Sequence, residues 1–298
     1  MVPPRLRARS LALVLATSSL VAVAGCGGSS KPATAGNPFA YDRAAPTDAL
    51  AKGQTASQLG LIETNVAFAT PSGNVEGLLI SPETTERTPA VIYVPGSGQD
   101  RTAFIDPALQ LASDGATALL ITPPSSTTPT TGKDAAERLR SYRDTVVADV
   151  VAVRRAIDVL DGLKQIDPKR IGLIGWSAGA LTGAIAAGVD PRLRAVVLLS
   201  AGAATVDDFV AKAPESLKDD VRSTLGPIDP LSWIGKAKGG RLLLQDGTKD
   251  TVVPHAALQR MIAAAPKGTT VRWYDAGHGL NGAAYTYHVA WLRKRLRF

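Results

Sequence analysis

The sequence predicts an α/β domain built on a mostly parallel sheet with helices on both faces. Three observations point there. Apolar runs of strand length alternate with longer helical patterns along most of the chain. From residue 89 onward those runs are β-branched or leucine-rich throughout, which suits strands buried on both faces. An antiparallel hairpin signal precedes the alternation. The chain has 298 residues, enough for one large domain with a sizeable core and no second domain.

The first segment is not part of that fold. Arg5, Arg7 and Arg9 precede an apolar stretch, residues 11–25, that ends in "VAGC" with Cys26. A basic start and an apolar run too short for a comfortable membrane span read as an export signal. The small residues leading into Cys26, the single cysteine of the chain, resemble the lipobox of bacterial lipoproteins. The resemblance implies cleavage after residue 25 and lipidation at Cys26. It also implies an exported protein anchored in a membrane and facing the extracytoplasmic side of a bacterial envelope. No twin-arginine pair is present, so export through the general route is expected. "GGSSKPATAGNP", residues 27–38, reads as a flexible polar tether. The expected division is 1–25 signal, 26–59 lipidated Cys and tether, and 60–298 folded domain.

Within that domain "LIETNVAFAT" and "VEGLLISP" flank a turn and form the hairpin. "PAVIYVPG" and "ATALLITPP" are buried strands, with a helix between them that ends at Gly115. Residues 133–162 carry the strongest periodicity. Leu139, Tyr142, Val146, Val150, Val153, Ile157 and Leu160 recur at steps of three and four, while Arg138, Arg143, Arg154 and Arg155 take other faces. A long amphipathic helix follows from this spacing. "RIGLIG", "LRAVVLLSAG", "GRLLLQDG" and "TVRWYDAG" are further strands, separated and followed by helical segments to Phe298. Residues 203–235 break the rhythm and are expected as a small insertion over the sheet edge.

The junction "GWSAG" places Ser177 where a buried strand hands over to a helix. A turn this tight strains the central residue, and Cβ atoms at the flanking positions would collide; Gly175 and Gly179 remove them. The helix dipole and free N–H groups then lie beside the serine oxygen. A serine hydroxyl needs a base to act as a nucleophile, and the base needs an orienting carboxylate. Of the three histidines, only His278 falls in a loop at the carboxyl end of a strand, where open α/β sheets bind ligands. His255 opens a helix and His288 lies inside one. For the carboxylate, "LLLQDGTKDTVVP" offers Asp250, past the Gly247 turn, and Asp246, which closes the strand. Asp250 is the better candidate.

The order Ser177, Asp250, His278, together with the hairpin entry and the "GTKDTVVP" and "GHGL" loops, resembles the α/β-hydrolase superfamily over roughly residues 60–298. The chain looks most like its exported-esterase and dienelactone-hydrolase-like branches. That resemblance implies the α/β-hydrolase fold and two-step acyl transfer on a carboxylic ester, with no cofactor and no metal. It implies an oxyanion hole from the N–H of Ala178 and one N–H in the loop "PGSGQD". Here the family's common His-Gly is replaced by Pro95-Gly96; Ser97 is the choice and Gly98 the alternative. Dienelactone hydrolases carry cysteine at the elbow, whereas this chain has Ser177. Prolyl-oligopeptidase-type peptidases share the core but add a large access-restricting domain, for which too few residues precede the first strand.

The expected substrate is a small-molecule or envelope ester with a short acyl chain, in an open cleft with Trp176, Trp233 and residues 123–132 as candidate walls. Buried packing is an equal account of both tryptophans, and a plain surface loop is at least an equal account of residues 123–132. The alternatives are a small-peptide hydrolase of the same fold and a non-catalytic envelope binding lipoprotein. The formal charge of +7 falls to +4 once residues 1–25, with three Arg and no acid, are removed. With few aromatics and interspersed charge, no nucleic-acid partner is expected, and the protein is expected to be a monomer. The basic end "WLRKRLRF" reads as the solvated face of a terminal helix.

Overall fold

A computed structural model describes residues 36–56 and 60–298. Cys26 and the proposed signal lie outside these residues. The strands are β1 (Leu50–Ala56), β2 (Leu61–Thr70), β3 (Gly73–Pro82), β4 (Thr88–Val94), β5 (Thr117–Ile121), β6 (Ile166–Trp176), β7 (Leu193–Leu199), β8 (Leu242–Gly247) and β9 (Thr270–Tyr274). The helices are α1 (Ile105–Ser113), α2 (Pro124–Thr127), α3 (Ala135–Gly162), α4 (Ala178–Val189), α5 (Val206–Lys212), α6 (Lys218–Leu225), α7 (Pro230–Ile234), α8 (His255–Ala264) and α9 (Gly282–Leu296).

The strands form one sheet in the order β1-β2-β3-β5-β4-β6-β7-β8-β9. The first three pairings are antiparallel, and every pairing from β5 to β9 is parallel. The α/β-hydrolase architecture is therefore present, with helices on both faces. Alternation along the strands sorts the core. Ile92, Val94, Leu119 and Leu173 face α3 and α4, whereas Val91, Tyr93, Leu120 and Ile174 face α1 and α9. In α3 the predicted stripe holds at Val150, Val153, Ile157 and Leu160, all fully buried.

Three expectations need correction. The domain boundary at residue 60 falls inside the folded body. Phe39 is fully buried against Val150, Val151 and Ile185, and β1 pairs antiparallel with β2 across a register shift between Ala51 and Gln54. "LAKGQTA" lacks alternation because an edge strand needs no buried face. The second concerns α3: Arg155, which the periodicity sets off the apolar stripe, has a side chain only 2% exposed. It donates to Pro46 O at 2.6 Å and Ala69 O at 3.1 Å and pairs with Asp158. Arg154 donates to Phe39 O at 2.6 Å. These bonds satisfy guanidinium donors of both arginines and pin residues 39–46 to α3. Lastly, the insertion α5–α7 does not sit at the sheet edge. Its Val210, Val221, Leu225 and Ile228 pack with Phe39 against α3 and α4.

Behind β8, His288 of α9 is buried, with Nδ1 2.9 Å from Gln245 Oε1. The Gln245 amide nitrogen donates to Tyr274 OH and Ala284 O, so Oε1 is the acceptor and His288 Nδ1 carries the proton. Burial lowers the His288 pKa from 6.5 to about 4. A depressed folded value means that stability present above pH 6.5 is lost as pH falls toward 4, by up to about 3 kcal/mol. Urea unfolding at pH 7 and pH 4.5 should show a smaller acid-side loss in His288→Gln than in wild type. The comparison between the two proteins removes the opposing contributions of other groups. Equal losses would mean that His288 is not held neutral by the fold.

Candidate active site

The strongest local constraint lies between β6 and α4. Ser177 has φ 55° and ψ −116°, a left-handed conformation that costs a non-glycine residue about 1–3 kcal/mol. Its N–H donates to Leu199 O at 2.9 Å, which ties the turn to β7. A Cβ on Gly175 would lie 2.3 Å from Gly179 O, and one on Gly179 would lie 2.2 Å from Val94 O. The start of α4 thus rests directly on the backbone that ends β4. Ala178 is the first residue of α4, so its N–H has no acceptor within the helix.

Three loops at the carboxyl ends of β6, β8 and β9 converge here. His278 Nε2 lies 2.9 Å from Ser177 Oγ, and His278 Nδ1 lies 2.8 Å from Asp250 Oδ2. The Asp250 side chain is 1% exposed, and its Oδ1 accepts the N–H groups of Val252 and Val253 at 2.8 and 2.9 Å. Burial alone would raise the Asp250 carboxyl. The bonds from Val253, His278 and Val252 outweigh that effect and hold it below its ordinary value. The arrangement holds the ionised carboxylate at one ring nitrogen of the imidazole, with the serine hydroxyl at the other.

Asp246 does not bond to the histidine. It is buried and, among the described residues, takes only the Ala201 N–H, at 3.3 Å. Burial raises its pKa to about 7, the Ala201 bond opposes this, and the Asp250 charge adds to it. His255 lies over Trp273 with ring centroids 4.6 Å apart. The His278 loop is held by its main chain, because Trp176 Nε1 and Ser200 Oγ both donate to His278 O, at 3.0 and 2.8 Å. Sequence reading missed Ser200. Its signal is only that it follows the end of β7, beside the elbow.

A cleft of about 330 Å³ opens beside Ser177, lined by Ala178 and by both Ser97 and Gly98. The N–H groups of Ser97 and Gly98 make no hydrogen bond among the described residues. Of the two readings of residues 123–132 the wall holds, through Ser125, Thr128 and Thr130, and the insertion supplies another wall through Val206, Phe209 and Ile228. Ser126 Oγ donates to Gln99 O and so joins that first wall to the Ser97 loop. The tryptophans do not line the cleft. Trp176 packs against His278, and Trp233 packs between Phe39 and Lys236. Asp149, which sequence reading also missed, does line it. Its signal in the sequence is an acidic residue three after Val146 and four before Val153, on the apolar stripe of α3. The Gly179→Ala variant should show little or no soluble folded protein, or strongly reduced reactivity of Ser177 toward a fluorophosphonate probe. Normal yield with normal labelling would show that α4 can move off β4 freely.

The profile of the prolyl oligopeptidase family matches residues 130–298. A search of curated proteins finds no match. Among solved structures, an acetyl xylan esterase from Paenibacillus sp. R4 is similar at 17% identity and TM-score 0.69, covering 84% of this chain and 89% of that one. Acetyl xylan esterase 1 from Thermoanaerobacterium sp. JW/SL YS485 gives 17% identity and TM-score 0.73, with 86% and 90% covered. An esterase of Pyrococcus furiosus gives 18% identity and TM-score 0.58, with 83% and 96% covered. At such identities these structures speak for the fold alone. The family profile goes further, because it spans more than half of the chain and holds the elbow, the acid loop and the histidine loop: the chain belongs to the prolyl oligopeptidase family.

Proposed function

We propose that the protein is a serine hydrolase of carboxylic esters in which Ser177 is the nucleophile, His278 the general base and Asp250 its orienting carboxylate. The unbroken relay from Asp250 to His278 to Ser177, with both distances under 3 Å, carries this reading. His278 takes the hydroxyl proton as Ser177 Oγ attacks the ester carbonyl carbon. The carbonyl oxygen becomes an oxyanion held by the N–H groups of Ala178 and Ser97, with Gly98 as the alternative second donor. Collapse of the intermediate expels the alcohol, which receives its proton from His278. Water, deprotonated by the same histidine, then attacks the acyl-enzyme and releases the acid.

Support for esters over other acyl compounds comes from the structural neighbours that carry esterase names. A small-peptide hydrolase is the second reading, and the family profile favours it. Short acyl chains are the proposed preference, in keeping with a cleft of about 330 Å³. The resemblance to the dienelactone-hydrolase-like branch remains part of this proposal, as do a monomeric state and an envelope substrate. We also propose, on residues 1–26 alone, that Cys26 anchors the protein at the extracytoplasmic membrane surface. Cys26→Ser should then move the protein from the membrane fraction to the soluble one; unchanged partitioning would discount the anchor.

The deciding experiment compares residues 36–298 as wild type and Ser177→Ala on p-nitrophenyl acetate, butyrate and longer esters, beside peptide p-nitroanilides. Ester hydrolysis should fall by roughly 10⁴–10⁶-fold in the variant. Equal rates in both proteins would remove Ser177 from the chemistry, and a preference for peptide substrates would replace the ester reading with the second one.

A further inference from the structure

The buried carboxylates of this protein fall into two sets. Asp158 and Asp190 are paired with Arg155, Arg192 and Arg154, and Asp250 is paired with His278. Asp149 and Asp246 have no cation within ion-pair distance among the described residues. Of these two, Asp149 lines the cleft beside Ser177, and Asp246 does not.

Asp149 is 7% exposed. Oδ1 accepts the Ser125 N–H at 2.9 Å, and the Ser125 hydroxyl is its other partner. The surrounding wall is Val146, Leu181 and Ile185 with the hydroxyls of Thr145 and Thr182. The other carboxyl of the cleft, Asp229, is occupied in capping α7, where it accepts from Leu231 N and Ser232 Oγ, both at 3.0 Å. A carboxylate held in such surroundings is costly unless a charge-compensating partner reaches it. Burial, opposed by the two Ser125 bonds, accordingly raises its pKa to about 6, so it is ionised at pH 7.5. Among the described residues no side chain supplies the missing cation, and Asp149 lines the cleft.

We propose that Asp149 is a specificity-determining residue that selects esters whose acyl or alcohol part carries a protonated amine. The inference rests on the ester-hydrolase reading of the site and names its substrate class. An ammonium group entering the cleft donates to the Asp149 carboxylate and neutralises it. A methyl group of the same size leaves the carboxylate uncompensated, and the site discriminates against it.

The test uses isosteric pairs in which an ammonium group replaces methyl, or a protonated nitrogen replaces a branched carbon, at pH 7.5. On the acyl side, p-nitrophenyl esters of β-alanine and 6-aminohexanoic acid are compared with the butyrate and heptanoate. On the alcohol side, 2-(dimethylamino)ethyl acetate is compared with 3-methylbutyl acetate. For at least one pair the ratio of kcat/KM should favour the cation by about tenfold or more, and Asp149→Asn should bring that ratio close to one. The pair that responds identifies which half of the ester occupies the cleft. The ratio is internal to each preparation, so partial loss of folded variant does not disturb it. If the variant cannot be obtained, the wild-type ratios alone decide. Ratios near one for every wild-type pair overturn the proposal, as does a high ratio that survives in Asp149→Asn. Absence of Ser177-dependent hydrolysis for all esters, neutral ones included, would instead overturn the parent reading.

Discussion

The approach of α4 to β4 is the contact on which the site depends. Gly179 brings its Cα so close to Val94 O that no side chain fits between them. That proximity sets the position of Ser177, whose strained φ is held by the Leu199 O bond on one side and the first turn of α4 on the other. The same approach leaves the Ala178 N–H pointing out of the helix start, next to the loop that carries Ser97 and Gly98. Strain at one residue is tolerated because packing on both sides over-determines it.

Around this point, main-chain atoms do much of the positioning. His278 is held through its carbonyl by Trp176 and Ser200, which leaves both ring nitrogens free to face Ser177 and Asp250. Asp250 is held through the N–H groups of its own loop. These arrangements bring three loops from distant parts of the chain into register at the carboxyl edge of a single sheet.

Charge is managed differently in different parts of the molecule. Away from the cleft, the buried Arg155 and the half-buried Arg154 and Arg192 bond to carboxylates and backbone carbonyls, and they lock residues 39–46 onto α3. Beside the cleft, Asp149 has only Ser125 as a partner among the described residues. Asp158 and Asp149 share α3, yet one is compensated by arginines and the other, which lines the cleft, is not.

The sequence by itself determined the alternation of strands and helices, the hairpin from Leu61 to Pro82, the elbow at Ser177 and the short list from which His278 and Asp250 were drawn. These are local: periodicity, turn chemistry and the need for glycine at a tight turn are written in neighbouring residues. Only the tertiary structure decided the rest. That Arg155 is buried depends on carbonyls at Pro46 and Ala69, far away along the chain. β1 belongs to the sheet because β2 offers it an edge, not because "LAKGQTA" has a strand pattern. Trp176 and Trp233 are packing residues, and Asp149 reaches the cleft, because of how α3, α4 and the insertion meet. Long-range contacts select among side-chain environments that a local pattern leaves equivalent, so they become visible only once the chain is folded.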